Sequence, residues 1–294
     1  MFNFFQKPVG LYIKDHEVIA VKVKKGSEPS LEQVVKMTLT PGVVENGVVK
    51  DEKALIQVLR TIQASMQSNT CVVALPISKS YTAVLEFPPG MKMEEMKQAM
   101  KERASTVIPV DSTELIHDLS VLYYAKDLKA VGFIAALEKT IFDQYKKVLE
   151  AAGWKQREFV LETLALLKMI PFKQGVMPYF MLCHTEHGRT FVSSVMEGRV
   201  FDGVVTPHLK EDFFNLFQSF SEQAHQLPTH VLISGDASFV QEISLEKFAN
   251  QAPKFVAAQF ILTGDVEAMI PAGLALNHQL FTKKDRFSLL TLLQ

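Results

Sequence analysis

The chain has 294 residues, 48% of them hydrophobic, and a formal net charge of -1, a composition typical of a soluble globular protein of about two domains. The near-neutral charge provides no basic face for nucleic acid, and two cysteines, Cys71 and Cys183, exclude a disulfide framework and favour a reducing compartment. No run approaches the ~20 apolar residues of a membrane span, so we expect a cytoplasmic protein.

The first predicted element is a β-hairpin over residues 8–23, PVGLYIKDHEVIAVKV. An apolar run meets a polar corner at residues 14–17 and a second alternating run follows, a pattern that predicts a strand, a tight turn and a strand. Residues 31–39 predict a third strand. Asn46-Gly47 then predicts a type I′ turn between two short β-branched runs.

A helix and a buried strand are predicted next. Asp51 is placed to cap a helix, and Thr70–Leu75 reads as a buried strand that ends at Pro76. The apolar face of the helix is expected to consist of Leu55, Val58, Leu59 and Ile62. Three strands, a helix and another strand form the first half of an α/β domain.

Residues 80–170 change character, and residues 80–155 among them predict a compact inserted module in the order β-α-β-β-α. Its first helix ends at Ile108-Pro109, because the residue before a proline disfavours helical backbone. The elements are a strand over Tyr81–Phe87, a helix from Lys92 to Val107, strands over Glu114–Tyr124 and Ala130–Ala136, and a helix over Glu138–Ala152 that Gly153 stops. Residues 159–167 then lead into a helix that ends before Pro171.

The remainder repeats the first half, which indicates an internal duplication at low identity. Strands are predicted over Tyr179–Cys183, Phe191–Met196, Val200–Val205, Val231–Ile233 and Val256–Leu262, with helices over 208–226, 238–250 and 268–279.

The same topology twice, with a module inserted in the first half, resembles the architecture of the actin-like superfamily, and three strings narrow the resemblance. PGVVENGVVKDEKAL is similar to the segment after the third strand in the type IV pilus assembly protein PilM family and the cell-division protein FtsA family. VVALPISKSYTAVLEFPPG with MKQAMKERASTVIPVD resembles the start of the inserted subdomain of the PilM family, and GFIAALEKTIFDQYKKVLEAAGWKQREFVLETLALLKMI resembles its end. The resemblance covers most of residues 8–280. It implies an α/β, actin-like (ribonuclease H-like, duplicated) fold with an inserted βαββα subdomain and a reduced second domain.

Duplication and resemblance together predict the domain boundaries. The first actin-like domain is expected over residues 1–79, 156–176 and 266–281. The inserted partner-binding subdomain is expected over 80–155, the reduced second domain over 177–265, and a tail over 282–294.

In the superfamily, the opening hairpin reads D-x-G-x-x-x-x-K and binds the phosphates of ATP. Here Tyr12 stands at the position of the Asp, Lys14 at that of the Gly, and Ile19 at that of the basic residue. The carboxylate for metal-bound water and the glycine for close approach of backbone to phosphate are both missing.

The other two nucleotide loops depart from the pattern as well. The family's second phosphate loop reads D-I-G-x-x-x-T-x, but here Cys183 replaces the Asp and Thr185 the Gly; the adenosine-side loop keeps Gly235 alone. Losing one oriented phosphate ligand costs about 1–4 kcal/mol. We therefore expect relic loops, no ATP or Mg²⁺ cofactor, no catalytic residues and a pseudo-ATPase.

The segment 183–187 also carries four potential metal ligands, namely Cys183, His184, Glu186 and His187. Zinc needs three or four converging ligands, and no second Cys/His cluster exists elsewhere in the sequence. Because neighbouring residues of a strand point to opposite faces, Cys183 and His184 would not meet as a thiol–imidazole pair. The sequence favours a relic loop with solvated histidines, with no metal.

A partner-binding surface is proposed at the charged helix of the inserted module. Met93, Met96 and Met100 form one stripe, and Arg103 follows them. Two interpretations stay open: a core-facing methionine stripe, or adaptable side chains that line a peptide groove, since members of the PilM family bind a short segment of their partner near this subdomain. Glu94, Glu95 and Glu102 have no paired-acid geometry.

The tail is the second candidate for partner binding. The membrane protein PilN, the partner of PilM, begins with an R-I-N-L-L-type peptide, and residues 286–290 are similar to it. The tail either folds against its own body or inserts into its own or a neighbour's groove. The residues concerned are Arg286, Phe287, Leu289 and Leu290.

The resemblance implies a non-enzymatic cytoplasmic scaffold of a type IV pilus or related secretion machine. Such a scaffold would bind a cytoplasmic segment of a PilN-like bitopic inner-membrane partner, form a homo-oligomer, and contact the membrane only through that partner. The alternative is an ATP-binding, FtsA-like switch or filament-forming protein. A thiol or metal enzyme at residues 183–187 is the third interpretation.

Overall fold

The computed structural model describes residues 8–24, 29–107, 114–123, 130–167, 169–170, 179–186, 189–196, 199–206, 209–224, 226–235, 253–258, 262 and 264–276. These residues fall into two compact units, one within 1–169 and 261–294 and the other within 170–260. In chain order the elements are β1 (Val9–Ile13), β2 (Glu17–Lys24), β3 (Ser30–Thr38), β4 (Val44–Glu45), β5 (Val48–Val49), α1 (Glu52–Met66), β6 (Thr70–Leu75), β7 (Ser80–Phe87), α2 (Met93–Val107), β8 (Leu115–Tyr123), β9 (Ala130–Glu138), α3 (Lys139–Ala151), β10 (Lys155–Leu161), α4 (Glu162–Leu167), β11 (Tyr179–Glu186), β12 (Arg189–Met196), β13 (Arg199–Thr206), α5 (Leu209–Ala224), β14 (His230–Gly235), β15 (Lys254–Ala257) and α6 (Met269–Leu276).

The main sheet of the first unit has the strand order β10-β6-β1-β2-β3. β1 and β2 form the predicted hairpin, and β1 pairs in parallel with β6. All residues of β1 and β6 are buried, as expected for strands inside a sheet that is covered on both faces. Asp51 caps α1 as predicted, since its carboxylate accepts a hydrogen bond from the Ala54 amide at 3.0 Å.

Helix α6 packs against β1, β2, β6 and α4, so the C-terminal part of the described chain completes the N-terminal unit. Every residue of α6 is buried, which explains its apolar sequence MIPAGLAL. Two glycines permit the close approach. A Cβ atom at Gly10 would overlap the carbonyl oxygen of Pro271, and one at Gly273 would overlap that of Ala165.

The inserted module has the predicted β-α-β-β-α order, from β7 to α3, with a sheet ordered β7-β9-β8. Helix α2 packs on this sheet through a core of Leu85, Phe87, Met96, Met100, Leu115, Ile134 and Ala136. At the end of α3, Gly153 has φ +90°, the left-handed geometry that terminates the helix as predicted.

The second unit repeats the first. Its sheet has the order β13-β12-β11-β14-β15, in which β11 pairs antiparallel with β12 and in parallel with β14. This is the pairing pattern of β1 with β2 and β6, so the predicted duplication is confirmed. Helix α5 covers one face of the sheet with Phe213, Phe217 and Phe220.

Several predicted boundaries were wrong. The last strand of the second sheet is Lys254–Ala257 rather than 256–262, because its register follows β14 from His230 onward. The helix after β10 begins at Glu162, inside the segment that was predicted to precede it. Helix α6 begins at Met269, close to the predicted start, and residues 277–279 of that predicted helix lie outside the described residues. The predicted helix over 238–250 lies outside the described residues. Within the described part of the chain, no helix is long and apolar enough to cross a membrane.

An ion-pair cluster ties the edge strand β3 to the segment that leads into α6. Lys36 Nζ lies 2.5 Å from Asp265 Oδ2 and also contacts Glu267. Although partial burial lowers the pKa of Lys36, the hydrogen bonds to Asp265 and Glu267 raise it overall, and the bond from Lys36 lowers the pKa of Asp265. We expect Lys36→Met to cost at most about 1 kcal/mol of unfolding free energy, because these groups are partly exposed.

Urea titrations of Lys36→Met and the parent at low and high salt measure this loss, which should shrink at 1 M salt. The contribution of Asp265 should be present above about pH 4 and be lost as the pH falls through its lowered folded-state pKa. If the loss of unfolding free energy in Lys36→Met changed with neither salt nor pH, the stabilisation by Lys36 would not be electrostatic.

Candidate functional site

The corner of the first hairpin is filled by its own side chains. Tyr12 and Ile19, which stand at the Asp and basic positions of the D-x-G-x-x-x-x-K pattern, are directly opposite each other in the β1–β2 ladder and are both buried. Lys14, at the Gly position, is buried as well. Its Nζ atom lies 2.9 Å from Glu17 Oε1 and 5.4 Å from the centroid of the Tyr12 ring. The lysine charge is therefore compensated within the hairpin.

Asp15, at the tip of the same corner, binds a second turn. Its carboxylate accepts hydrogen bonds from the Asn46 and Gly47 amides at 2.9 and 3.0 Å. Asn46 and Gly47 have φ values of +50° and +75°, as the predicted type I′ turn between β4 and β5 requires.

The second hairpin, between β11 and β12, places Cys183 and His184 on opposite faces, as predicted. The Cys183 thiol is buried in the core under α5, together with Met181 and Phe213. His184 is also buried, so the expectation of a solvated histidine was wrong. Its Nδ1 atom lies 2.9 Å from Ser234 Oγ on the paired strand, and its ring stacks on Phe191 at a centroid distance of 5.8 Å.

The hydroxyls of Thr185 and Thr190 meet across this hairpin at 3.0 Å. Gly235, the glycine that survives from the adenosine-side loop, is the register partner of Thr185 in the β11–β14 ladder. It has φ +82°, and a Cβ atom there would overlap the Thr185 carbonyl. The close pairing of two strands therefore explains this glycine without a nucleotide.

The predicted partner-binding residues of α2 separate into two groups. Met96 and Met100 have no exposed surface and pack in the core of the inserted subdomain, so the assignment of these two to an open groove was wrong. Met100 lies against Gly132, where a Cβ atom would overlap the Met100 sulfur. Met93 is 39% exposed and Arg103 is exposed, so both lie at the surface.

The tail residues Arg286, Phe287, Leu289 and Leu290 lie outside the described residues, as does His187. Among the residues that the structure describes, no group of three or more His, Cys, Asp or Glu side chains is arranged to hold a metal ion.

Both thiols should resist modification in the folded protein. Cys71 and Cys183 are free and buried, and burial raises the pKa of each thiol well above its usual range. We expect a thiol reagent at pH 8 to label them at least about 100-fold more slowly than in denaturant, since the thiolate is the reactive form. Timed labelling of the Cys71→Ala and Cys183→Ala variants measures the labelling rate of the one thiol that each variant retains.

The same burial predicts a dependence of stability on pH. Above about pH 8.5 the thiols ionise in the unfolded chain but stay neutral in the folded one, so stability due to these groups is lost as the pH rises. Urea unfolding midpoints of the parent and of a Cys71→Ala/Cys183→Ala double variant are compared from pH 8 to 10. The midpoint of the parent should fall relative to that of the double variant, and a constant difference would contradict this prediction.

Sequence reasoning missed the structural roles of Asp15 and Tyr145. The Tyr145 hydroxyl donates to the Gly47 carbonyl at 3.1 Å, so the Asn46-Gly47 turn is bound from both sides. The Asn-Gly pair signals the turn, but its two partners are 31 and 98 residues away from it in the chain. No local pattern indicates contacts at that separation.

Comparisons with known proteins agree with this architecture. The family model of the type IV pilus assembly protein PilM matches residues 10–172. Many solved structures are similar to the chain, and three of them illustrate the fold. The chain is similar to one from a PilM–PilN type IV pilus biogenesis complex, at 15% identity and a TM-score of 0.69, with 92% of this chain and 98% of the other covered.

The second structure is the cytoplasmic domain of EpsL, an inner-membrane component of the type II secretion system of Vibrio cholerae (13% identity, TM-score 0.59, 96% and 97% covered). The third is a protein with an actin-like ATPase fold from Bacteroides thetaiotaomicron VPI-5482 (10%, 0.50, 94% and 98%). A search of curated proteins gave no match. At these identities the structures establish the fold, which is the predicted actin-like one.

Proposed function

Because this chain belongs to the family of the type IV pilus assembly protein PilM, we propose that it is a non-enzymatic scaffold of a type IV pilus or related secretion machine. In this role it sits at the cytoplasmic face of the inner membrane. It binds a short cytoplasmic segment of a PilN-like membrane partner, which supplies its only contact with the membrane. The observation that carries the proposal is the family match over residues 10–172, which include the inserted subdomain.

The hairpin corner supports the non-enzymatic part of the proposal. Nucleotide phosphates need converging donors and a carboxylate-bound metal ion. Tyr12 and Ile19 are core side chains here, and Lys14 is compensated by Glu17. In the second unit, Cys183 faces the core and Gly235 serves strand pairing. These residues support the loss of ATP and Mg²⁺ binding.

Isothermal titration with ATP and Mg²⁺ tests the pseudo-ATPase proposal. We expect no binding with a dissociation constant below about 1 mM, which corresponds to about -4 kcal/mol. Micromolar affinity would instead support the alternative, an ATP-binding switch related to FtsA. A PilM-family protein that retains the D-x-G loop serves as the positive control.

Partner binding is tested with a peptide of the Arg-Ile-Asn-Leu-Leu type. We expect the whole chain to bind it, and a truncation that lacks residues 285–294 to bind more tightly if the tail competes for the groove. Met93→Lys should weaken binding, whereas Lys53→Met, a change at an exposed position of α1, serves as the surface control. Absence of peptide binding by both the whole chain and the truncation would count against the scaffold proposal.

The scaffold is also proposed to form a homo-oligomer. Sedimentation velocity over a range of concentrations, with and without the peptide, measures the association state. A monomer under all of these conditions would remove the oligomer from the proposal and leave partner binding to be judged by the titration.

A further inference from the structure

The Asn46-Gly47 turn is the meeting point of three parts of the first unit. On one side, the Asp15 carboxylate of the β1–β2 corner accepts both amides of the turn. On another, Tyr145 of α3 donates to the Gly47 carbonyl. Pro76, which links β6 to the inserted subdomain, lies against the third side, and a Cβ atom at Gly47 would be 2.6 Å from Pro76 Cβ.

The other two contacts of the turn flank the subdomain along the chain. Pro76 precedes β7, the first strand of the inserted subdomain, and its carbonyl accepts a hydrogen bond from Ser80 Oγ at 2.9 Å. Tyr145 lies in α3, the last element of the subdomain, and is fully buried. The turn therefore touches the chain just before it enters the subdomain and again in the last helix of the subdomain.

The charge of Asp15 and the burial of Gly47 make the contacts of the Asn46-Gly47 turn specific. Gly47 is buried although Asn46 is exposed, so the amide and carbonyl of Gly47 need partners inside the protein. Asp15 and Tyr145 supply one each. A carboxylate that accepts two amides makes stronger hydrogen bonds than a neutral group, and losing it would leave the buried Gly47 amide without an acceptor.

We propose that the Asn46-Gly47 turn is a joint, that is, a fixed structural connection, between the corner of the β1–β2 hairpin and the inserted subdomain. This corner stands where the superfamily has its first phosphate loop. Asp15 and Tyr145 are positioning residues that hold the subdomain in the orientation in which it binds its partner. The role in partner binding rests on the proposed function, whereas the joint itself does not. A displacement of the corner would be passed through Asp15 and the turn to the chain just before the subdomain and to its last helix.

The first test compares Tyr145→Phe with Tyr179→Phe in the whole chain. Each change removes one buried hydroxyl that donates to a backbone carbonyl, to Gly47 in the first case and to Phe220 of the second unit in the other. We expect Tyr145→Phe to raise hydrogen exchange of the β7 and β9 amides about tenfold through local opening. Tyr179→Phe should leave those amides unchanged.

A second pair of variants tests whether Asp15 and Tyr145 both act through the Asn46-Gly47 turn. Asp15→Asn retains one acceptor oxygen and should raise the same exchange rates less than Asp15→Ala does. Because both positions act through one turn, the Asp15→Ala/Tyr145→Phe double variant should raise exchange by less than the product of the single effects. Equal exchange of β7 and β9 in Tyr145→Phe and Tyr179→Phe, or multiplicative effects, would overturn the joint.

Affinity for the Arg-Ile-Asn-Leu-Leu peptide is the functional readout. We expect Asp15→Ala and Tyr145→Phe to weaken binding about fivefold and Tyr179→Phe to leave it unchanged. Unchanged affinity in all three variants would overturn the positioning role. If the parent binds no peptide, the proposed function fails, and hydrogen exchange still decides whether the joint exists.

Discussion

Replacing Gly235 by alanine is expected to cost about 3 kcal/mol of unfolding free energy. An alanine at φ +82° costs about 1–2 kcal/mol, and overlap of its Cβ atom with the Thr185 carbonyl adds about 1–3 kcal/mol. Thr185 is a backbone partner in the β11–β14 ladder, so it cannot rotate away as a side chain would. Urea unfolding, followed by a probe in the second unit, measures the loss.

Gly90→Ala is the matched control for this prediction. Gly90 has φ +81°, but a Cβ atom there would meet nothing within 4 Å. Gly90→Ala should therefore lower the unfolding free energy only by the conformational cost of alanine at this φ, about 1–2 kcal/mol. Equal losses at the two positions would mean that strand pairing does not require Gly235, and its retention would need another explanation.

Gly273→Ala is expected to destabilise the first unit even though alanine is the better helix former. Propensity alone would favour alanine by about 1 kcal/mol. Overlap of the new Cβ with the Ala165 carbonyl opposes this, because both α4 and α6 are buried and would have to separate. We expect a net loss of about 2 kcal/mol or more.

Gly10→Ala tests the opposite side of the same helix, where the new Cβ would overlap the Pro271 carbonyl. Thermal unfolding of both variants should give lower Tm values than the parent, by roughly 2–4 °C per kcal/mol for a unit of this size. A raised Tm for Gly273→Ala would show that propensity outweighs packing and that α6 is held less closely than the structure indicates.

The sequence predicts much of the fold because local patterns carry it. The alternation of residues 8–23, the Asn46-Gly47 pair and the Asp51 cap each specify their own element, and the repetition of the first half reveals the duplication. The boundaries that were wrong depend on distant partners. The residues of β15 are mostly exposed, so no hydrophobic period marks where the strand begins, and pairing with β14 decides it.

The candidate site was less accessible to sequence reasoning. Tyr12, Lys14 and Cys183 are recognisable as departures from a motif, but the motif does not show what replaces the lost chemistry. Glu17 compensates Lys14 from three residues away, and the Met stripe of α2 does not reveal that only Met93 reaches the surface. Asp15 and Tyr145 gain their roles only from contacts that the folded chain brings together.

The position of α6 has a consequence for synthesis of the protein on the ribosome. The five strands of the first sheet have all been made once Leu161 is added, yet the helix that covers β1 and β2 begins at Met269. At about 5–20 residues per second, the ribosome needs roughly 5–20 s to make the intervening segment. During that interval the nascent sheet presents an uncovered apolar face, a natural substrate for chaperones that bind unfinished chains.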